Sequence, residues 1–415
     1  MNAFAPEGRS LHDFAIWREQ VESVAVCLLH AYVNPEHEPR LQARRIGAPL
    51  PAGGGVPRRL AVADDEEAGR VGHRGDGSPV ASRSMPTIRL FAGAREAAGT
   101  DRDTLDGATV REVLDAAVSR YGAGFAAMSH RFAHALTGLG LKPGDRIIIP
   151  AVTNCGKCSY CRNNQPSHCQ TLGGVGWVFG HLIDGTQAEY VRVPFAETSV
   201  HKVPEGLDDE DVLFLTDALP TGFEIGILNG NTKPGDTVAI VGAGPVGLGA
   251  VMTANLCGAG RVITVDLDEN RMDKALELGA TDKVNAGDPD AVERIRALSP
   301  DGLGVDVAIE AVGVPATFRT CLDVVRPYGT VANAGVHGKP VELPLDRMWI
   351  SNVRINMGLV DCRTVGSLLN MVRSGRLDAK AMATHRFTMS QMEEAYELFG
   401  NAAQHRAVKV VITAD

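Results

Sequence analysis

Four cysteines within fifteen residues are the side chains of this sequence with the clearest chemistry. Their spacing, C-x2-C-x2-C-x7-C, allows four thiolates to converge on one ion, and Zn²⁺ accepts four sulfur ligands in a tetrahedron. Such a site leaves no position for water or substrate, so the motif predicts a structural zinc rather than a catalytic one. The alternative, four free thiols in a polar loop, is unfavourable because the loop has almost no apolar core of its own. The predicted ligands are Cys155, Cys158, Cys161 and Cys169.

A glycine-rich segment has the spacing of a loop that binds phosphates. Gly242, Gly244 and Gly247 form G-x-G-x-x-G directly after the apolar, β-branched run of residues 237–241. The first glycine permits a tight turn, the second lets the backbone approach a pyrophosphate, and the third lets the following helix pack against the sheet. The phosphates would then meet the N-terminus of that helix, which favours anions.

An acidic residue at the end of the next predicted strand favours NAD over NADP. Asp266 follows Gly247 by 19 residues. A carboxylate at this point accepts both ribose hydroxyls of NAD, and its charge repels the 2′-phosphate of NADP. The alternative is a glycine-rich junction between helix and sheet that binds nothing. The strand before the motif, the helix after it and Asp266 favour the cofactor site.

The segments that follow alternate between helix and strand patterns. Apolar spacing predicts helices over 293–298 and 318–325 and strands over 305–309 and 329–334. Such alternation indicates an α/β fold with a doubly wound parallel sheet, and ligands of these sheets bind at the carboxyl ends of the strands. The predicted cofactor contacts are therefore Gly242, Gly244, Pro245, Val246, Gly247, Asp266, Arg271, Val312, Gly313, Ala334 and Gly335.

The composition argues against several classes of protein. A chain of 415 residues, 44% of them hydrophobic, can form two or three domains with cores of their own. A net charge of −9 argues against nucleic acid or a membrane surface as a partner. Residues 237–260 are uncharged over the length of a membrane span, but their glycines and periodicity argue against one. Eight cysteines are too few for a disulfide scaffold and no signal pattern opens the chain, so we expect a cytoplasmic protein.

From about residue 138 onward, the order of motifs resembles the zinc-containing medium-chain alcohol dehydrogenases. The turn Pro143-Gly144-Asp145, the cysteine segment, the segments 185–194 and 202–206, and the glycine motif follow one another as in that family. The resemblance implies a GroES-like β domain into which a Rossmann domain is inserted. It places a partial catalytic domain at 129–204, the NAD-binding domain at 205–358 and the return to the catalytic domain at 359–415. It also implies a small alcohol, aldehyde or ketone as substrate and a homodimer or homotetramer.

The same resemblance implies a second, catalytic zinc. Asp217, in Leu-Thr-Asp-Ala-Leu-Pro-Thr-Gly, matches one ligand position of the family. The other ligands, a cysteine and a Gly-His-Glu motif, are expected upstream of Gly140, where Cys27 and the pair His37-Glu38 stand outside any such motif. Two hypotheses follow: a zinc- and NAD-dependent alcohol dehydrogenase, or a non-catalytic NAD-binding protein with one structural zinc.

The N-terminal third of the sequence matches neither motif. The composition of residues 1–84 predicts a partly disordered leader. Within it, apolar residues recur at helical spacing between Leu11 and Leu28. Residues 85–128 resemble the first half of the ubiquitin-like, β-grasp sulfur carriers of molybdopterin and thiamine synthesis. The resemblance rests on a strand pattern over 86–91 and a capping box of Thr109 and Glu112. The Gly-Gly tail of those carriers is absent from the chain, so we expect no sulfur chemistry.

Overall fold

The computed structural model describes residues 26–27, 87–89, 102–104, 110–122, 141, 144–188, 191 and 193–414. Within them, the strands are β1 Val26–Cys27, β2 Thr87–Arg89, β3 Arg102–Thr104, β4 Ile147–Ile148, β5 His201–Lys202, β6 Thr237–Val241, β7 Arg261–Asp266, β8 Asp282–Asn285, β9 Val305–Glu310, β10 Val325–Asn333, β11 Arg354–Met357, β12 His385–Thr388 and β13 Val410–Thr413. No helix in the described part of the chain is long and apolar enough to cross a membrane.

The α-helices of the described residues are α1 Val110–Tyr121, α2 Ser159–Arg162, α3 Ala196–Ser199, α4 Asp209–Leu213, α5 Ala218–Thr221, α6 Pro245–Leu256, α7 Glu269–Glu277, α8 Ala291–Ala297, α9 Pro315–Val324, α10 Leu345–Met348, α11 Val365–Arg373, α12 Met392–Gly400 and α13 Ala402–His405. A π-helix, Gly222–Leu228, continues directly from α5.

The six central strands form one parallel sheet in the order β11-β10-β9-β6-β7-β8. The chain order of the strands reverses between β6 and β9, which is the switch point where a doubly wound sheet binds its ligand. Every residue of β6 is buried, as expected of a strand with helices on both faces of the sheet. The predicted α/β class and the doubly wound parallel sheet are confirmed.

A second, smaller sheet has the order β1-β13-β12, in which β13 runs parallel to β12 and antiparallel to β1. Val26 pairs with Ile412, and Cys27 with Val411. The helix that apolar spacing predicts between Leu11 and Leu28 is therefore wrong at Val26 and Cys27. The free edge of β13 offers backbone hydrogen bonds along its length, and this tertiary pairing overrides the local pattern.

The described parts of the N-terminal region are short. β2 and β3 pair antiparallel, with Thr87 opposite Thr104, and α1 follows. The resemblance to a sulfur carrier stays a prediction, and so do the domain boundaries placed at residues 84, 128, 204 and 358.

Candidate dinucleotide and zinc sites

The four cysteines come together at the lobe that contains α2. Their sulfur atoms all lie within 4.8 Å of one another, with Sγ of Cys161 3.4 Å from Cys158 and 3.9 Å from Cys155. A zinc ion with bonds of about 2.3 Å to four sulfurs in a tetrahedron separates the sulfurs by about 3.8 Å. The arrangement therefore fits a four-thiolate zinc held by Cys155, Cys158, Cys161 and Cys169.

The hydrogen bonds around the cysteines favour thiolates unequally. Burial raises the pKa of Cys155, but the hydroxyl of Thr171 at 3.1 Å and the amides of Lys157 and Cys158, each at 3.4 Å, lower it to about 6. Burial and the neighbouring Cys158 sulfur raise the pKa of Cys161 to about 12. Four sulfurs this close cannot all ionise in the absence of a cation, and a divalent ion removes that conflict.

The glycine loop between β6 and α6 is held by contacts that exclude larger side chains. The amide of Gly242 donates to the carbonyl of Val265 at 2.7 Å, and Gly242 has a φ of +109°. A Cβ atom built on Gly247 would lie 1.8 Å from the carbonyl oxygen of Gly242. Gly244 is the N-cap residue of α6 and gives the helix no side-chain cap. The first amides of α6 are consequently available to an anion such as a pyrophosphate.

Asp266, at the end of β7, faces this loop. Its Oδ2 accepts a hydrogen bond from the amide of Ala243 at 2.6 Å, and its Oδ1 accepts from the amides of Leu267 at 2.8 Å and Asp268 at 3.0 Å. The carboxylate is thus fixed between the phosphate loop and the next turn. Arg271 lies one turn further along α7, with Nε 3.9 Å from Oδ2 of Asp268.

The other predicted cofactor residues lie on two loops that contact each other. Val312 and Gly313 follow β9, and Ala334 and Gly335 follow β10. A Cβ atom built on Gly335 would lie 2.3 Å from the amide nitrogen of Gly313, and Gly313 itself has a φ of +91°. Both loops are at the carboxyl edge of the sheet, beyond the switch point from Asp266. The predicted residues of these two loops therefore lie at the same edge of the sheet as Asp266.

Asp217 lies just before α5, away from any set of metal ligands in the described residues. Its Oδ1 accepts a hydrogen bond from the hydroxyl of Thr221 at 3.1 Å. Burial raises its pKa, although the positive charge of the buried Lys409 and the Thr221 hydroxyl lower it in part. The four cysteines are the only group of three or more potential ligands that the described residues bring together.

A catalytic zinc needs three protein ligands, so the described residues do not fit one at Asp217. Of the other ligands considered from the sequence, His37 and Glu38 lie outside the described residues, and so does the side chain of Cys27. We therefore assign no chemical step to a second zinc.

Glu224 is a buried acidic residue of the π-helix that the sequence did not indicate as a site residue. It connects the helical segment after Asp217 to the lobe that contains the four cysteines. Glu224 accepts hydrogen bonds from the amides of Asp361 at 2.9 Å and Thr364 at 2.8 Å. Asp361 in turn accepts from the amide and the hydroxyl of Ser167 at 3.0 and 2.6 Å. Burial raises the pKa of Glu224 against these hydrogen bonds. A charged residue inside an apolar helical stretch was the available signal.

Two protein-family models match the chain. The model described as "Alcohol dehydrogenase GroES-like domain" matches residues 128–205, and "Zinc-binding dehydrogenase" matches residues 245–371. The first match begins ten residues before residue 138, from which the order of motifs resembles the family. It includes His130, which lies outside the described residues.

Relatives of known name share these regions. An alcohol dehydrogenase of Cupriavidus necator is 40% identical over 231 residues, which are 55% of this chain and 63% of that protein. An NADP-dependent isopropanol dehydrogenase of Entamoeba histolytica is 34% identical over 63% of this chain and 72% of its own length. The solved structure of zinc-dependent alcohol dehydrogenase 2 from Streptococcus pneumonia, in its apo form, has a TM-score of 0.63 and 48% identity. That match covers 66% of this chain and 77% of the other. The chain thus spans less than two thirds of the Cupriavidus protein.

Proposed function

Because the chain belongs to the family of zinc-binding, medium-chain alcohol dehydrogenases, we propose that it transfers hydride between a small alcohol and NAD. The observation that carries the proposal is the loop between β6 and α6, in which Gly242 and Gly247 have no room for a side chain. This loop and the uncapped start of α6 fit a pyrophosphate. When bound, NAD supplies the hydride acceptor, and the protein binds and orients it.

We propose NAD rather than NADP as the cofactor, although the Entamoeba relative bears the name NADP-dependent. The support is the carboxylate of Asp266, which three amides hold at the end of β7. Oδ2 accepts only one of these bonds and keeps a lone pair for a ribose hydroxyl, whereas a 2′-phosphate at that point would meet a fixed negative charge.

Exchange of Asp266 for asparagine tests this preference. We expect Asp266→Asn to raise the KM for NAD and lower the KM for NADP, so that the ratio of the two catalytic efficiencies shifts about tenfold toward NADP. Asp346→Asn, an exposed change on α10, is the control and should leave the ratio as it is. Steady-state kinetics with both cofactors measure the ratio, and an unchanged ratio in Asp266→Asn would contradict the assignment.

The zinc that the described residues support is structural and is bound by the four cysteines. A four-thiolate ion stabilises the lobe that contains α2 and gives no open coordination position. Asp217 is proposed as a catalytic residue only by its match to the family position. Its partial burial raises its pKa, which suits a proton-accepting role.

Zinc content and alcohol-dependent NADH formation together test the proposed function. We expect purified protein to reduce NAD with at least one primary or secondary alcohol of a panel, and to contain zinc that Cys169→Ser reduces by one ion per chain. Cys257→Ser, at the end of α6 and outside the cysteine cluster, is the matched control. Binding of NADH without turnover of any alcohol, with one zinc per chain, would select the non-catalytic NAD-binding protein instead.

We also propose a homodimer or homotetramer, as the resemblance implied. The support is β11, whose outer edge has no partner strand in the described part of the chain, and the exposed apolar side chains of Trp349, Ile350 and Met357 near it. Unpaired sheet edges and apolar patches favour association with a second copy. Light scattering of the purified protein gives the mass directly. A cytoplasmic location is proposed too, because the four free thiols of the cluster persist in a reducing compartment.

A further inference from the structure

The carboxylate of Glu310 binds the first of the two loops beyond the switch point, and the sequence did not single it out. Glu310 is the last residue of β9, and its side chain is fully buried. Its Oε1 accepts hydrogen bonds from the amides of Val312 at 3.0 Å and Gly313 at 2.8 Å. The hydroxyl of Thr317 donates a third at 2.6 Å. This one oxygen therefore fixes the loop between β9 and α9.

The other oxygen of Glu310 faces the loop after β10. Oε2 lies 3.4 Å from Nε2 of His337, and the same nitrogen lies 2.8 Å from Oδ1 of Asn333. A Cβ atom built on Gly335 would lie 2.2 Å from Oε2, so glycine is required for this approach. Asn333 also donates a hydrogen bond to the carbonyl of Gly335 at 2.9 Å. Glu310, Asn333 and His337 thus add side-chain contacts between the two loops to the backbone bonds that the amides of Ala334 and Gly335 donate to the carbonyl of Glu310.

Water has little access to this cluster. The side chain of His337 is 15% exposed, and the ring of Phe318 meets its face edge-on with centroids 5.9 Å apart. Among the described residues, Oε2 of Glu310 and Nδ1 of His337 have no hydrogen-bond partner. In such low-dielectric surroundings, each polar contact that is made is stronger than in water. The position of one loop is therefore coupled to the position of the other.

We propose that Glu310 and His337 are positioning residues for the redox half of the bound dinucleotide. The inference rests on the proposed dinucleotide function. In a doubly wound sheet the two halves of the cofactor lie on opposite sides of the switch point. Asp266 ends β7, on the adenosine side, whereas β9 and β10 lie on the other side. Glu310 and His337 contact the loops on that side of the switch point, so they help to set the separation of the walls around the nicotinamide half.

The experiment compares two ligands that share the adenosine half. NADH carries the nicotinamide half, and ADP-ribose lacks the nicotinamide ring; the dissociation constant of each is measured by calorimetry. We expect Glu310→Gln and His337→Gln each to raise the dissociation constant of NADH about tenfold and to change that of ADP-ribose by less than about twofold. Glutamine at 310 keeps the size and one acceptor oxygen, and His337→Gln is a milder second variant should the first fold poorly.

The Asp266→Asn variant and the wild-type protein are the controls that distinguish the possible results. Asp266→Asn should weaken both ligands, because both carry the adenosine ribose. Equal losses for NADH and ADP-ribose in the Glu310 and His337 variants, or unchanged NADH binding, would overturn the positioning role while leaving the proposed function intact. A wild-type protein that binds neither ligand would instead overturn the dinucleotide function, and the positioning role with it.

Discussion

Two carboxylates that the sequence suggested as site residues have different surroundings in this protein. Asp266 accepts three amide hydrogen bonds at the end of β7, beside the glycine loop. Asp217 is half-buried beside one hydroxyl and the positive charge of Lys409. Hydrogen bonds from amides favour the charged form, whereas loss of water disfavours it. The first residue is therefore suited to recognise a neutral diol, and the second to hold or release a proton or an ion.

The raised pKa of Asp217 predicts a pH-dependent cost to stability. A carboxyl group whose pKa is higher in the folded state stabilises fully below its unfolded value of about 3.9, and that contribution is lost as the pH rises through the folded value. An asparagine at this position would stay neutral throughout. We therefore expect Asp217→Asn to gain unfolding free energy relative to wild type between about pH 4, near the unfolded value, and pH 8.

Urea unfolding of metal-free protein at the two pH values measures this difference. Thr221→Val is the comparison variant: it removes the hydroxyl that lowers the pKa of Asp217 but keeps the carboxylate, so it should increase the dependence of stability on pH. A constant difference between Asp217→Asn and wild type would show that Asp217 is charged in both states across this range.

At the scale of elements, the junction of β6 and α6 shows what local sequence can predict. The glycine spacing, the apolar run before it and the acidic residue at the end of β7 are all local patterns, and the structure has the predicted strand, turn and helix there. Glu310 and His337 could not be found in the same way. Their contact depends on the side-by-side placement of β9 and β10, which are consecutive in the chain but whose loops meet only in the folded sheet.

Substitution of Gly247 tests the packing of this junction. A Cβ atom at 247 would lie 1.8 Å from the carbonyl oxygen of Gly242, so the turn has to move. We expect Gly247→Ala to lose about 1–3 kcal/mol of unfolding free energy and more than about tenfold in NADH affinity. Gly366→Ala on α11 is the matched control, since an added Cβ there meets nothing within 4 Å. It should stabilise by up to about 1 kcal/mol without affecting NADH. Equal behaviour of the two variants would contradict the tight packing.

At the scale of the whole molecule, distant parts of the chain meet in one small sheet. β1 from the leader adds to β13 near the C-terminus, and β13 pairs on its other side with β12. No sequence pattern indicated that residues 26–27 would pair with β13. Pairing between segments almost 400 residues apart depends on which strand edge is open, and a local pattern contains no information on that.

Two nested truncations measure the contribution of β1. A chain that lacks residues 1–30 loses the strand, whereas one that lacks residues 1–20 keeps it. We expect the longer deletion to lower the unfolding free energy by about 1 kcal/mol relative to the shorter one, because an edge of β13 loses its backbone partners. Thermal unfolding of both variants gives the comparison, and identical midpoints would show that the pairing adds nothing to stability.

The π-helix Gly222–Leu228 limits the insertions and deletions that this part of the chain can accommodate. A π-helix contains one residue more than an α-helix between the same two ends. It therefore has the form that results when one residue is inserted into an α-helix. Here the π-helix contains Glu224, whose carboxylate accepts from the amides of Asp361 and Thr364, far along the chain. A single-residue deletion in this stretch would restore regular helix and turn Glu224 away from these partners. The length of this segment is therefore constrained by the contacts of Glu224 with residues 361 and 364.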